Sequence, residues 1–188
     1  MIIAPIILIL KTTMKLYPCL PSLALVLAAL VGGPAWAQKC ASSEATLYEG
    51  TTGKKGILVC ATPAKPPYSK IEYRFGPAEK AEMTYTADAA SGRKFFASSE
   101  ALQPRASLSH LWFANGDTTY VITQCIGGNC PHSGGMVVAK GKKIIARIKA
   151  KEGNFTADDA VDFDGEKSKT PLIQIKYPDG IDVTKLFD

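Results

Sequence analysis

Apolar and polar side chains alternate with a period of two along most of the chain, and this pattern restricts the fold more than any other feature. In residues 70–75 every second side chain is apolar (Ile71, Tyr73 and Phe75), and those between are charged. A second alternating run covers residues 82–86. Because successive side chains of a strand point to opposite faces, the pattern is typical of antiparallel strands with one buried face.

Two β-hairpins are predicted in the second half of the chain. Their strand pairs are residues 108–114 with 118–125 and residues 136–140 with 143–149. Asn115-Gly116-Asp117 separates the first pair, and Asn-Gly accepts the positive φ angles of a tight turn at low cost. The second pair turns near Gly141-Lys142.

The remaining elements complete an all-β prediction. Further strands are predicted at residues 56–61, 93–97 and 172–177, and one short helix is predicted to start at Thr156, whose hydroxyl can cap it. About eight short strands bury one face only by packing on each other or by closing. We therefore expect a single antiparallel β-barrel or β-sandwich, stabilised by disulfides.

The N-terminal stretch, residues 1–37, is predicted to be a cleaved secretory signal peptide. It has two lysines and no acid, an apolar run, and the small residues Ala35 and Ala37 before the predicted cleavage site. Translation starting at Met14 would give a more ordinary signal, and an uncleaved anchor is the alternative. Residues 38–188 then form one exported domain with 20 basic and 17 acidic side chains, a net charge of +3.

Four cysteines remain after cleavage, and an even number in an exported protein favours disulfides. Three pairings are possible among Cys40, Cys60, Cys125 and Cys130. We favour Cys40–Cys60 and Cys125–Cys130, because each pair closes a local loop. The alternative of a metal site at Cys125, Cys130 and His132 lacks the fourth ligand of a closed zinc site, so neither a metal nor a cofactor is expected.

Charge is segregated late in the chain. Residues 140–151 carry six basic side chains, and residues 152–166 carry six acidic ones with no base. The first segment is interpreted as a lysine-edged strand, which discourages edge pairing, and the second as a solvated loop. The modest net charge and the exported location argue against nucleic acid as a partner.

Catalytic motifs are absent from the sequence. The chain has two histidines, and His110 lies in a predicted strand without a serine at a spacing that makes a local pair. No nucleophile-elbow motif is present. We therefore expect no catalytic residues, while an envelope hydrolase with a site assembled from distant segments around His110 stays an alternative.

Residues 105–149 run from an aromatic strand through the Asn-Gly-Asp turn and Ser133-Gly134 to the strand that begins at Met136. This order resembles the periplasmic C-type and I-type lysozyme inhibitors of Gram-negative bacteria. The resemblance implies a compact β fold whose loops plug the active-site cleft of a lysozyme. The tyrosine that follows Ser-Gly in those families is replaced here by Met136 and two valines.

The predicted function is a periplasmic protein-binding module without a membrane span in the mature chain. It is expected to be an inhibitor of, or an immunity protein against, a lysozyme or another peptidoglycan hydrolase. The predicted contact surface is the loop at residues 127–135, pinned by Cys125–Cys130, and the predicted partner-binding residues are His132, Ser133, Gly134 and Met136. The alternatives are the envelope hydrolase around His110 and a structural subunit of an envelope or secretion complex.

Overall fold

The segments with alternating apolar and polar side chains are strands of two β-sheets. The computed structural model describes residues 39–102, 105–128, 130–156, 161, 163 and 170–187. The predicted signal peptide at residues 1–37, the body of the helix predicted from Thr156 and most of the acidic segment lie outside these residues. Within the described ranges there is no helix with the length and apolar character needed to cross a membrane.

Eleven strands and one 3-10 turn make up the described fold. The strands β1 to β11 are Ala45–Thr51, Gly56–Thr62, Lys70–Gly76, Met83–Asp88, Phe95–Leu102, Ala106–Asn115, Thr118–Gly127, Gly134–Lys140, Lys143–Ala150, Glu152–Phe155 and Ile173–Ile175. A five-stranded sheet has the order β10-β1-β2-β3-β4, and a six-stranded sheet has the order β11-β5-β6-β7-β8-β9. All neighbours are antiparallel except β11, which pairs parallel with β5.

The all-β prediction and both hairpins are confirmed. Asn115 pairs with Thr118 and Lys140 with Lys143, so each hairpin closes through a two-residue loop. The first loop residue is Gly116 with φ 64° in one hairpin and Gly141 with φ 56° in the other. A positive φ at the first loop position is what a glycine there permits at low cost.

Two strands, β1 and β10, have no counterpart in the prediction. A register shift between Thr46 and Tyr48 lets both Leu47 and Tyr48 point into the core, which breaks the alternation in β1. Strand β10 has only four residues, one of them Gly153, so it shows no recognisable pattern.

The main core lies between the two sheets. It is built from aromatic and aliphatic side chains of both, among them Tyr73, Tyr85, Phe95, Leu111 and Phe113. The Phe113 ring stacks on Tyr85 and Tyr120, with centroid distances of 4.2 and 5.0 Å. This core holds the sandwich together, because it accounts for most of the fully buried apolar side chains.

The outer face of the six-stranded sheet is covered as well. The C-terminal residues 176–187, here called the strap, cross this face and end in the 3-10 turn Val183–Leu186. Sheet residues and strap residues form a second, smaller core, with members Leu108, Trp112, Val121, Val137, Ala139, Ile181, Val183 and Leu186. The Trp112 Nε1–H donates to the Lys176 carbonyl at 2.7 Å, which fixes the start of the strap.

Strand β9 forms one edge of the six-stranded sheet. Its side chains alternate between exposed and half-buried, and the exposed set includes Lys143, Arg147 and Lys149. Charged side chains on an edge strand discourage pairing with a second chain. The basic segment therefore lies where the sequence interpretation placed it.

Candidate functional site

The Cys125–Cys130 disulfide is present and closes the loop between β7 and β8. We call the described residues 126–128 and 130–133 the tip loop. Its ends are held by backbone hydrogen bonds, from Cys125 N–H to the Ser133 carbonyl at 2.9 Å and from Gly128 N–H to the Arg105 carbonyl at 3.3 Å. The disulfide and these bonds limit the conformations of the loop before any partner binds.

The four predicted contact residues do not lie on one exposed surface. His132 and Ser133 are half-buried, whereas Gly134 is buried and Met136 is only 1% exposed in the main core. The Tyr73 hydroxyl donates to the Met136 sulfur at 3.1 Å. A Cβ on Gly134 would lie 2.2 Å from the Thr123 carbonyl oxygen, so glycine is required there for strand pairing. Met136 and Gly134 therefore have structural roles.

His132 holds the end of the strap rather than projecting into solvent. Its Nε2 lies 3.1 Å from the Leu186 carbonyl oxygen, and its ring stacks on Phe187 with centroids 4.5 Å apart. The His132 Nδ1 and the Ser133 hydroxyl are buried without a hydrogen-bond partner among the described residues. The tip loop and the strap are thus one connected structure.

Ile126 and Arg105 are two exposed side chains at this end of the sheet. Ile126 is 54% exposed, which is unusual for a large aliphatic side chain, and it directly follows Cys125. Arg105 is exposed, its carbonyl accepts a hydrogen bond from Gly128, and its φ of 77° lies in the left-handed region that non-glycine residues rarely adopt. Residues held in this region cluster at functional sites.

The Cys40–Cys60 disulfide is also present, so both favoured pairings are confirmed. Arg74 lies beside it and donates to Glu44 at 2.7 Å and to Glu72 at 2.6 Å. The hydrogen bond from Arg74 lowers the pKa of the Glu44 carboxyl below its usual value. Cys40, Glu44 and Cys60 lie close enough to ligate a metal, but the disulfide removes both thiolates.

His110 lies at the centre of a polar cluster on the outer face of the six-stranded sheet. Its side chain has no exposed area. Its Nδ1 lies 3.0 Å from Thr123 Oγ1, and its Nε2 lies 3.3 Å from Glu100 Oε1. Because an ionised carboxylate only accepts, the tautomer of His110 with its hydrogen on Nε2 is the one that donates to Glu100 and accepts from the Thr123 hydroxyl at Nδ1.

Ser98 completes this cluster. Strand pairing places Ser98 opposite His110 on one side and Thr123 opposite His110 on the other. The Ser98 hydroxyl is buried and has no hydrogen-bond partner within the described ranges. Burying an unpaired hydroxyl costs on the order of 1–3 kcal/mol. The polar row formed by Ser98, His110 and Thr123 therefore lowers the stability of the sheet.

The order of groups in this cluster is the reverse of that in a Ser-His-Asp triad. In a Ser-His-Asp triad the hydroxyl faces the substrate, and the carboxylate is buried behind the imidazole. Here Thr123 is fully buried, while Glu100 is 37% exposed at the other end. The open end of the chain of hydrogen bonds is therefore a carboxylate.

A pocket of about 140 Å³ opens at that carboxylate, between the sheet and the strap. Its lining consists of Glu100, His110, Tyr177, Pro178, Ile181, Asp182, Val183 and Thr184. A larger groove of about 350 Å³ runs along the β1–β10 pair and contains Glu49 and Glu152. Of these two cavities, the smaller one contains a buried titratable side chain, His110, that orients the partly exposed Glu100. We therefore consider it the better candidate site.

Sequence reasoning identified His110 but missed Glu100, Ser98 and Thr123. The signal for Thr123 was available, because the hairpin closed by Asn115 and Thr118 places Thr123 opposite His110 when the pairs are counted inward. Glu100 and Ser98 required the pairing of β5 with β6, which no tight turn indicates. The strap required knowledge of where the C-terminal segment packs.

These features define an all-β, disulfide-stabilised two-sheet protein with a pinned tip loop and a strap-covered pocket at one end. Nothing among the protein-family models, the curated proteins and the solved structures compared with the chain matches it.

Proposed function

We propose that this chain is an exported, periplasmic protein-binding module that contacts its partner through the tip loop. The observation that carries the proposal is the exposed Ile126 on a loop that is closed by a disulfide and hydrogen-bonded through Gly128 to Arg105. The core of an interface is apolar, and arginine is enriched among the residues that dominate binding energy. A loop that is already ordered loses little conformational entropy on binding.

The polar cluster supports binding over nucleophilic catalysis. The hydroxyl that is hydrogen-bonded to His110 belongs to Thr123 and is buried, so the serine–histidine arrangement of a nucleophilic hydrolase is not formed with it. The imidazole instead orients Glu100 and helps to hold β5, β6 and β7 together.

The proposed partner is a lysozyme or another peptidoglycan hydrolase, and the chain acts as its inhibitor or as an immunity protein. A lysozyme cleft contains two catalytic carboxylates. Arg105 supplies a cation for such a cleft, and Ile126 supplies apolar contact area beside it. His132 and Ser133 lie at the base of the contact surface, where His132 contacts Leu186 of the strap and the Ser133 carbonyl accepts from the Cys125 amide.

The test compares two exposed isoleucines at opposite ends of the six-stranded sheet. Ile126 is 54% exposed in the tip loop, and Ile145 is 55% exposed near the Gly141 turn. The wild-type protein is expected to inhibit a C-type lysozyme. Ile126→Asp is expected to weaken inhibition at least about 30-fold, as loss of an interface hot spot does, while Ile145→Asp leaves it unchanged.

Two outcomes would contradict this proposal. If the wild-type protein inhibits neither C-type nor I-type lysozymes, the lysozyme version is wrong. If Ile126→Asp and Ile145→Asp inhibit equally well, the tip loop is not the contact surface.

A second candidate function is an envelope hydrolase in which Glu100 is the general base. The specific observation in its favour is the contact between Glu100 and the buried His110 at the pocket. Release of soluble fragments from peptidoglycan by the wild-type protein, abolished in Glu100→Gln, would support it. No release by the wild-type protein would exclude it.

A further inference from the structure

The pocket beneath the strap lies at the same end of the sheet as the tip loop. Glu100 pairs with Leu108, and Leu108 pairs with Cys125, which directly precedes the loop. His132 connects the loop to the strap through Leu186. The tip loop and the pocket therefore lie at the same end of the sheet, two strands apart.

The size of the pocket limits what enters it. Sites for drug-sized molecules have volumes of roughly 300–1,000 Å³. The pocket beneath the strap has about 140 Å³, which suits a single side chain.

The pocket lining combines apolar walls with negative charge. Pro178, Ile181 and Val183 supply apolar surface, and Tyr177 supplies a ring. Glu100 and Asp182 supply two carboxylates, and the described lining contains neither lysine nor arginine. A lysine or arginine side chain matches this combination, because its methylene stem is apolar and its end is cationic.

The Glu100 carboxylate is positioned before a ligand arrives. The buried His110 lies 3.3 Å from one of its oxygens, and Thr123 fixes the other side of the imidazole. The second carboxylate is also held, because Asp182 accepts hydrogen bonds from the Thr184 amide at 3.2 Å and from its hydroxyl at 2.5 Å. Charged groups that are oriented in advance bind with less reorganisation.

We propose that this pocket receives a basic side chain of the protein partner, with Glu100 as the anionic contact and His110 as its positioning residue. The inference rests on the proposed protein-binding function and names the chemistry of the partner residue. The chain carries a net positive charge, but this pocket presents carboxylates locally, so a basic side chain meets complementary charge there.

The test uses a small probe, so that it does not depend on finding the partner. Nα-acetyl-lysine methylamide is titrated into the ¹⁵N-labelled protein, and amide shifts are followed by NMR. Saturable shifts are expected at residues 177–184 and at His110, with a dissociation constant of about 1 mM for a ligand of this size. The norleucine analogue has the same stem without the charge, and it is expected to produce no saturable shifts there.

Two variants locate the binding. Glu100→Gln keeps the shape of the side chain and is expected to raise the dissociation constant about fivefold, in the range measured for partly exposed charge pairs. Glu100→Lys supplies its own ammonium group and is expected to abolish the shifts. Glu79→Gln, an exposed glutamate between β3 and β4, is the matched control and is expected to bind the probe as the wild type does.

The titration tests the pocket assignment separately from lysozyme inhibition. Absence of shifts in the strap, equal shifts with the norleucine analogue, or unchanged affinity in Glu100→Gln would each overturn the pocket assignment. None of these results depends on lysozyme inhibition, and failure of inhibition does not affect the titration. The two proposals can therefore fail independently.

Discussion

The two faces of the six-stranded sheet are both buried, but by different kinds of structure. The inner face packs on a whole second sheet, through apolar side chains such as Phe113 and Leu111. The outer face is covered by the strap and includes the polar cluster around His110. A chain end that covers a small core opens at lower free energy than a sheet in a sandwich. We conclude that stability resides on the inner face, and that the outer face carries the polar groups and the pocket.

The largest effect is expected on the inner face. Phe113→Ala removes a fully buried ring from the main core. The free energy of unfolding, measured by urea denaturation, is expected to fall by about 4 kcal/mol, because such truncations lose transfer free energy and leave a cavity. A loss below about 1 kcal/mol would be typical of a surface position and would contradict the main core described above.

The two disulfides are expected to contribute unequally to the free energy of unfolding. Cys40–Cys60 spans a separation of 20 residues and Cys125–Cys130 spans 5. Because a longer loop loses more entropy when it is closed, replacing each pair by alanine is expected to cost about 3 and about 2 kcal/mol, respectively. Urea denaturation of the two double variants without reductant measures both costs. The reverse order would show that loop length does not determine them.

The strap is expected to respond locally. Leu186→Ala truncates a fully buried side chain of the second core and is expected to cost about 2 kcal/mol, at the low end for leucine because the chain end can relax. Native-state hydrogen exchange is expected to show faster exchange at residues 176–187 and little change in β3 and β4. Equal acceleration in both sheets would mean that the strap does not open separately.

The smallest change in the free energy of unfolding is expected on the outer face of the five-stranded sheet. Glu44 is nearly buried beside Arg74, which lowers the pKa of the Glu44 carboxyl. This interaction therefore stabilises the fold above the usual pKa of 4.5 and is lost as the pH falls through the lower folded value. Glu44→Gln is expected to cost about 1 kcal/mol at pH 7, as one hydrogen bond does.

Urea midpoints at pH 7 and near pH 3 measure this dependence. The difference between wild type and Glu44→Gln is expected to shrink at the lower pH, and Glu79→Gln serves as the exposed control. A difference that stays constant would show that ionisation of Glu44 does not contribute.

The sequence predicts the hairpins because their information is local. Gly116 and Gly141 mark the turns, and alternating side chains on either side set the registers. Strand β1 escapes prediction, because a bulge at Leu47 turns two successive side chains inward. The disulfides follow from proximity in the chain, which favoured the pairings that form.

The candidate site is less predictable, because it is assembled across strands. Thr123 follows from the hairpin register, but Glu100 depends on the pairing of β5 with β6 and on the strap that forms the pocket wall. The sequence interpretation places Met136 among the partner-binding residues, with His132, Ser133 and Gly134. The parity of Met136 in β8 instead directs it to Tyr73 in the main core. The positions of Glu100 and Met136 both depend on pairing between strands that are distant in sequence. No local sequence pattern encodes that pairing.

Binding is proposed to occur at the end of the sheet that carries the tip loop and the pocket. Hydrogen exchange of the protein alone and with a C-type lysozyme locates the contact surface. We expect slower exchange in the presence of lysozyme at residues 105–106, 126–128 and 177–184, and unchanged exchange near Gly116 and Gly141 at the opposite end. Protection at the opposite end, or no protection anywhere, would contradict this proposal.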